Sequence, residues 1–147
     1  MPAVVKLENL EVGFHSTLLS IENLEIGSGE ILAVTGPSGI GKTSLLRTIS
    51  GLLRPISGLV QVDGVRSPDR PRRGTIGYIP QKLGLVRHSS VWANVMLGSR
   101  AARSSSDSKE RAVNSITAMG LEEKKYESVK RLSGGQQRRV AIARTLA

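Results

Sequence analysis

No cysteine occurs in the chain. Its absence excludes a disulfide scaffold, thiolate catalysis and any cysteine-ligated metal site. Aromatic side chains are nearly as scarce. Phe14, Tyr78, Trp92 and Tyr126 are the whole set, too few and too scattered to form a platform that stacks bases. No run approaches the ~20 consecutive apolar residues of a membrane-spanning helix, and no heptads of a coiled coil recur. Met1-Pro2-Ala3-Val4-Val5-Lys6 has no basic segment leading into an apolar one, so no secretory signal is read there and the chain reads as cytoplasmic.

What is present fits a soluble globular protein: 147 residues, 39% apolar and 22% charged, enough for one domain with a real core. The net charge of +9 is unevenly spread. Residues 1–53 carry three basic and five acidic side chains, and residues 54–147 carry eighteen and seven. A basic excess suits nucleic acid, an anionic membrane surface or an acidic partner. The charge alone does not choose among them.

The pattern along the chain is β first, then α. Val4–Leu10 and Leu18–Ile26 are Val/Leu/Ile-rich and partly alternate with polar residues, as half-buried strands do. Ile31–Thr35 is a short continuous apolar run, which predicts a strand buried on both faces. A helix follows Thr43, with Leu45, Leu46 and Ile49 on one face and Gly51 as its stop. Gly58 to Asp63-Gly64 reads as a strand entering a turn, and Thr75–Ile79 as another strand, ended by Pro80. Pro68–Arg73 and Ser104-Ser105-Ser106 are loops. Val91–Leu97 and Asp107–Met119 read as helices, the second with Asp107 and Glu110 placed for a capping box. A last helix begins near Ser133-Gly134-Gly135 and is still running at Ala147. The order predicts an α/β fold.

Two stretches carry chemistry. Gly36-Pro37-Ser38-Gly39-Ile40-Gly41-Lys42-Thr43 has the phosphate-loop spacing of Gly, four residues, Gly, Lys and then Ser or Thr. Such glycines allow a tight loop whose N–H groups face a phosphate, while the lysine adds a charge and the threonine hydroxyl can ligate Mg²⁺. The stretch sits between an apolar run and a helix, where that chemistry requires it. The second is Leu132-Ser133-Gly134-Gly135-Gln136. Its hydroxyl and bare N–H groups suit a second anion site. They suit equally an ordinary N-cap on an amphipathic helix, with Val140, Ala143 and Ala147 facing a core.

Taken together, these residues resemble the ATP-binding cassette (ABC) family, across the whole chain. Gly36–Thr43 resembles its Walker A loop and Leu132–Gln136 its signature motif. Gln81, in Tyr78-Ile79-Pro80-Gln81, resembles its Q-loop glutamine, and Pro55–Gly64 is similar to a strand and turn of the family. Phe14 resembles the aromatic that stacks on adenine, against the alternative of a core phenylalanine. The resemblance implies a P-loop NTPase with a RecA-like core, an antiparallel β subdomain and a helical subdomain, divided as 1–82 and 83–147.

It also implies ATP and Mg²⁺ as cofactors. Phe14, Gly36, Ser38, Gly39, Gly41, Lys42, Thr43 and Ser44 would hold nucleotide. Lys42 and Gln81 would take the catalytic roles, and Thr43 and Gln81 would approach the metal. Ser133, Gly135 and Gln136 would reach the γ-phosphate held by a second subunit in a head-to-tail dimer.

The implied partners are that second subunit and transmembrane permease subunits, with no nucleic acid. The implied place is the cytoplasmic face of the membrane. The 50-residue gap between Gln81 and Leu132 is too short for the coiled coils of chromosome-maintenance members. Leu83–Val86 and Val95–Gly98 look more like importer ATPases, phosphonate-type ones included. The alternatives are an ABC protein acting on nucleic acid and an inactive fragment.

The chain departs from the family pattern in one respect. The hydrophobic strand ending in Asp, the catalytic Glu and the switch His that follow the signature helix in the family are not in these 147 residues. His15 and His88 do not stand where the switch would. The chain is therefore read as an N-terminal portion that ends before Walker B, with weak or no ATP binding and negligible turnover by itself. Trp92 is read as packing within the helical part, near the surface where the family docks its membrane subunits. Arg70-Pro71-Arg72-Arg73 is read as a solvated loop.

Overall fold

Strand β1 (Ala3–Gly13) pairs antiparallel with β2 (Thr17–Gly27) on one side and with β3 (Ser57–Val62) on the other. A two-residue strand β4 (Val65–Arg66) completes the order β2-β1-β3-β4. The computed structural model describes residues 3–69, 71, 74–101 and 107–147. The loops read at 70–73 and 104–106 therefore lie wholly or largely outside the described residues. Two compact units divide the chain, Met1–Thr75 and Ile76–Ala147.

In the first unit, the buried apolar side chains of β1 are Leu7 and then Leu10 and Val12. Strict alternation would have continued through residue 9. The parity changes because Asn9 takes a φ of 45°, and β1 holds one more residue than β3 between the Glu8–Leu59 and Glu11–Ser57 pairs. This is a β-bulge. Gly58, opposite it, has a φ of 84°, and a Cβ there would collide with the Asn9 carbonyl. Glycine is required at that position. Lys6 bridges Glu8 at 2.8 Å on its own strand and its cross-strand partner Glu25 at 3.3 Å. The hydrogen bond to Glu8 is the larger influence raising the Lys6 pKa above its ordinary value.

Asp63 and Gly64, at φ 50° and 76°, form the two-residue turn that joins β3 to β4. Helix α1 (Lys42–Ile49) buries Ser44, Leu45 and Thr48 and packs against β1 and β3. Leu46, expected on the inner face, is exposed instead. Ser44 and Thr48 share the inner stripe with Leu45, and the 3.6-residue turn carries Leu46 off it. Gly51, at φ 70°, ends the helix as expected: Leu52 N–H reaches the Arg47 carbonyl at 2.8 Å and Gly51 N–H that of Thr48 at 3.0 Å.

The expected strands Ile31–Thr35 and Thr75–Ile79 are not formed. Ile31 is 96% exposed. An apolar run becomes a two-face-buried strand only when strands flank it, and no strand among the described residues pairs with either segment.

The second unit is built on α2 (Val91–Ala101), α3 (Ser108–Ala118) and α4 (Gly134–Leu146). Val91, Val95, Ile116, Leu121, Val129 and Val140 form its core, all at 0–1% exposure. The N–H groups opening α2 are met by carbonyls from the segment before α4, Val91 by Glu127 at 3.0 Å and Trp92 by Lys125 at 2.8 Å. Arg139 donates to the Met119 carbonyl beyond the end of α3 at 3.1 Å. Asp107 is the N-cap of α3, but the expected capping box does not form. With φ −99° and ψ 3°, its backbone lies outside the extended conformation such a box uses, and its side chain makes no cap bond.

Helices α2 and α4 meet through a glycine. A Cβ on Gly98 would run into the Arg144 carbonyl oxygen. Gly98→Ala is expected to destabilise the chain by about 1–3 kcal/mol through overpacking. Gly134→Ala, where an added Cβ meets nothing within 4 Å, is expected to be neutral or to stabilise by up to about 1 kcal/mol. Urea unfolding of the two variants beside the wild type checks both.

Candidate functional site

The loop between the hairpin and α1 owes its shape to its glycines. Gly36, Gly39 and Gly41 have φ of 143°, 86° and 106°. Gly41 is also the N-cap of α1 and seats the loop on β2, since a Cβ there would lie 3.2–3.3 Å from the Cβ atoms of Leu19 and Leu18. Around Gly39 there is open space. No side chain caps α1, and no acidic residue stands in its first turn. The uncapped N–H groups and the positive end of the helix dipole therefore lie next to the loop. The Lys42 ammonium turns back over the loop and donates to the carbonyls of Gly36 at 2.7 Å and Pro37 at 2.6 Å. Ser38 and Thr43 are exposed, and Ser44 is buried under the helix.

This arrangement fits an anionic phosphate. The cation is already held at the loop, and the donors are oriented before any ligand arrives. Among the described residues no cluster of His, Asp or Glu could hold a metal unaided. A Mg²⁺ would depend on phosphate oxygens, with the Thr43 hydroxyl as a ligand from the chain. Phe14 stands in the β1–β2 turn, 62% exposed. The alternative that it is a core residue is thereby removed.

The second unit carries the other expected residues. Gln81 is exposed at the start of the turn Gln81–Gly84, after Pro80. At the start of α4, Ser133 and Gln136 form a complete capping box. Ser133 Oγ accepts from Gln136 N–H at 3.2 Å, and Gln136 Oε1 accepts from Ser133 N–H at 2.9 Å. The N-cap of the second reading is thus formed. The cap exists, with Val140, Ala143 and Ala147 buried behind it. Neither Gly134 nor Gly135 is in the left-handed region, and a Cβ on either meets nothing within 4 Å among the described residues.

Residues 19–147 match the ABC transporter family. The chain belongs to that family. It is 42% identical to the methionine import ATP-binding protein MetN of Helicobacter pylori (strain HPAG1), covering 98% of this chain and 47% of MetN. It is 36% identical to the phosphonates import ATP-binding protein PhnC of Escherichia coli O157:H7, over 99% of this chain and 64% of PhnC. Among solved structures, cbiO1 of Clostridium perfringens, part of the ABC transporter complex cbiONQ, superposes with a TM-score of 0.83 at 29% identity. That match covers 99% of this chain and 62% of cbiO1. A dimeric bacterial ABC transporter cassette gives a TM-score of 0.80 at 31% identity, over 97% of this chain and 69% of its own. The chain spans about half the length of MetN, and its fold is the α/β fold of ABC ATPase cassettes.

Two residues of this ABC chain escaped the sequence reading. Asn94 is wholly buried in α2 and holds an irregular segment: its Oδ1 accepts from Val86 N–H at 2.8 Å, and its Nδ2 donates to the carbonyls of Val86 at 3.0 Å and Ser90 at 2.9 Å. A fully polar residue in an otherwise apolar helical stretch was the available signal. Lys125 lies 4.3 Å from the Trp92 ring centre, beside an open groove of about 470 Å³ lined by Val86, Ser89, Trp92, Met96, Leu97 and Arg100. Trp92 itself packs on the helical core, as expected. Asn94→Ala is expected to cost about 1–3 kcal/mol, because the Val86 backbone groups lose their partners. Guanidinium unfolding measures it, and a loss below about 0.5 kcal/mol would contradict the role given to Asn94.

Proposed function

We propose that this chain is the nucleotide-binding part of an importer-type ABC transporter subunit. MgATP would bind at Gly36–Ser44, with Phe14 against the base. The observation that carries this reading is the phosphate loop itself. Its three left-handed glycines, the uncapped start of α1 and the Lys42 ammonium held at 2.6–2.7 Å from the loop carbonyls all belong to one short stretch. The names of two of its relatives, import proteins for methionine and phosphonates, favour import. The cargo is not read from this chain.

When bound, Mg²⁺ supplies charge neutralisation on the β- and γ-phosphates. Lys42 would donate to phosphate oxygens, Thr43 would offer its hydroxyl to the metal, and Gln81 would take the role of orienting water. Ser133, Gly135 and Gln136 serve the γ-phosphate held by a second subunit. The bare glycines support this reading, because each costs roughly 0.5–1 kcal/mol against alanine and no neighbour among the described residues requires them. A close approach from outside the chain accounts for them. The groove beside Trp92 would receive a transmembrane permease, which places the protein peripherally on the cytoplasmic membrane face. No helix of the described residues is long and apolar enough to cross a membrane.

Titration with a fluorescent ATP analogue tests the loop in the subunit produced from its own gene. Lys42→Ala is expected to weaken binding about 10- to 100-fold, the equivalent of a charge-assisted contact of 1.5–3 kcal/mol. Unchanged affinity would overturn the proposal. The 147-residue polypeptide alone is expected to bind weakly and to show no turnover above buffer, since no Asp or Glu follows Glu127 in it to polarise water. Hydrolysis at ordinary enzyme rates by that polypeptide would refute this.

Gly135→Asp separates the two meanings of the signature stretch. In the chain alone the carboxylate joins the positive end of α4, and stability is expected to hold or rise by about 0.3–1 kcal/mol. In the assembled subunit, ATP-dependent dimerisation, followed by light scattering, is expected to be lost through repulsion of the γ-phosphate. Intact dimerisation would leave the stretch as a cap alone.

A further inference from the structure

Residues 76–89 form neither helix nor strand, so their backbone groups need partners from elsewhere. The turn that carries Gln81 is the tightest part of this segment. Leu83 N–H donates to the Pro80 carbonyl at 2.8 Å and Gly84 N–H to that of Lys82 at 2.7 Å. Leu83 and Gly84 sit consecutively in the left-handed region, at φ 60° and 61°. For a leucine this is uncommon, and it persists only where surrounding contacts over-determine it.

The contact that does so comes from Arg144, 60 residues further on. Its Nη1 donates to the Gly84 carbonyl at 2.6 Å and its Nη2 to the Leu83 carbonyl at 2.8 Å. The planar fork of a guanidinium fits two adjacent carbonyls, and a lysine ammonium does not reproduce that geometry. Burial lowers the Arg144 pKa from its ordinary value, but the group stays charged at any working pH. Its own backbone is fixed as well, since Gly98 of α2 packs against the Arg144 carbonyl. Beyond the turn, Asn94 holds Val86 by both backbone groups. The segment is therefore pinned at two stations, one on α4 and one on α2.

Arg144 lies in the last turn of the helix whose first turn is the Ser133–Gln136 capping box. We infer that Arg144 is a positioning residue that makes the Gln81 turn move with the signature helix, so that engagement at Ser133–Gln136 is felt at Gln81. This rests on the reading of Gln81 and Ser133–Gln136 as nucleotide-facing. The clamp itself does not.

Hydrogen–deuterium exchange of the intact chain tests the clamp directly. In Arg144→Met, exchange at the amides of 82–86 is expected to rise at least tenfold, with α3 and the β sheet within twofold of wild type. Arg144→Lys is expected to fall between. Gly84→Ala, which strains the turn from the other side, is expected to loosen the same amides. Unchanged exchange, or a uniform rise over the whole second unit, would overturn the clamp.

The coupling is read in the intact subunit reconstituted with its permease. Arg144→Met is expected to reduce permease-stimulated hydrolysis at least tenfold while ATP affinity stays within twofold. Full stimulation, or an equal loss of ATP affinity, would overturn the coupling. A wild-type subunit that binds no ATP would remove the proposed function and the coupling with it, while exchange would still decide whether the clamp exists.

Discussion

A backbone carbonyl outside a ladder must find a donor, and in this chain cationic and amide side chains supply it. Lys42 serves Gly36 and Pro37, Arg144 serves Leu83 and Gly84, and Asn94 serves Val86 and Ser90. Arg111 reaches the carbonyls of Ala147 and Ser99, and Arg139 that of Met119. Three side-chain pairs bridge opposite charges among the described residues, and all are at the surface. Such exposed pairs contribute little to stability. Several of the basic residues behind the +9 charge therefore act as structural donors to the backbone.

This division of labour explains what could be read from the residues alone. The two strands of the hairpin, the Asp63-Gly64 turn, the Gly51 stop and the Ser133 N-cap are each specified within a few neighbouring positions. The phosphate loop is legible for the same reason, since its glycine spacing dictates its backbone. Ile31–Thr35 and Thr75–Ile79 are different. Their apolar character states that they want neighbours on both sides, but a strand exists only when those neighbours are in place. The β1 bulge is intermediate. It follows from Asn9 and Gly58 together, which lie 49 positions apart, and neither residue announces it alone.

The capping boxes make a sharper comparison. Asp107 with Glu110 and Ser133 with Gln136 have the same spacing, yet only the second pair closes. Ser133 has an extended backbone, φ −62° and ψ 160°, whereas Asp107 does not. Spacing is thus necessary but insufficient, and the residue preceding the helix decides through its ψ. The Arg144 clamp could not be read at all, because a guanidinium that donates to main-chain oxygens leaves no complementary residue type in the sequence to search for.

The glycines separate fold from function more cleanly than burial does. Gly58 and Gly98 are enforced from within, since a Cβ at either would strike a carbonyl of the same unit. Gly134 and Gly135 meet no such obstacle among the described residues. A helix start that meets no steric obstacle to alanine among the described residues, but is glycine twice, agrees with the γ-phosphate role proposed for it. The same helix fixes Arg144 at its other end, so the element that starts at the Ser133–Gln136 box also holds the Gln81 turn. A rigid helix of 13 residues cannot shift at its first turn without shifting at its last, and this makes α4 suited to carry a signal rather than only to fill a core.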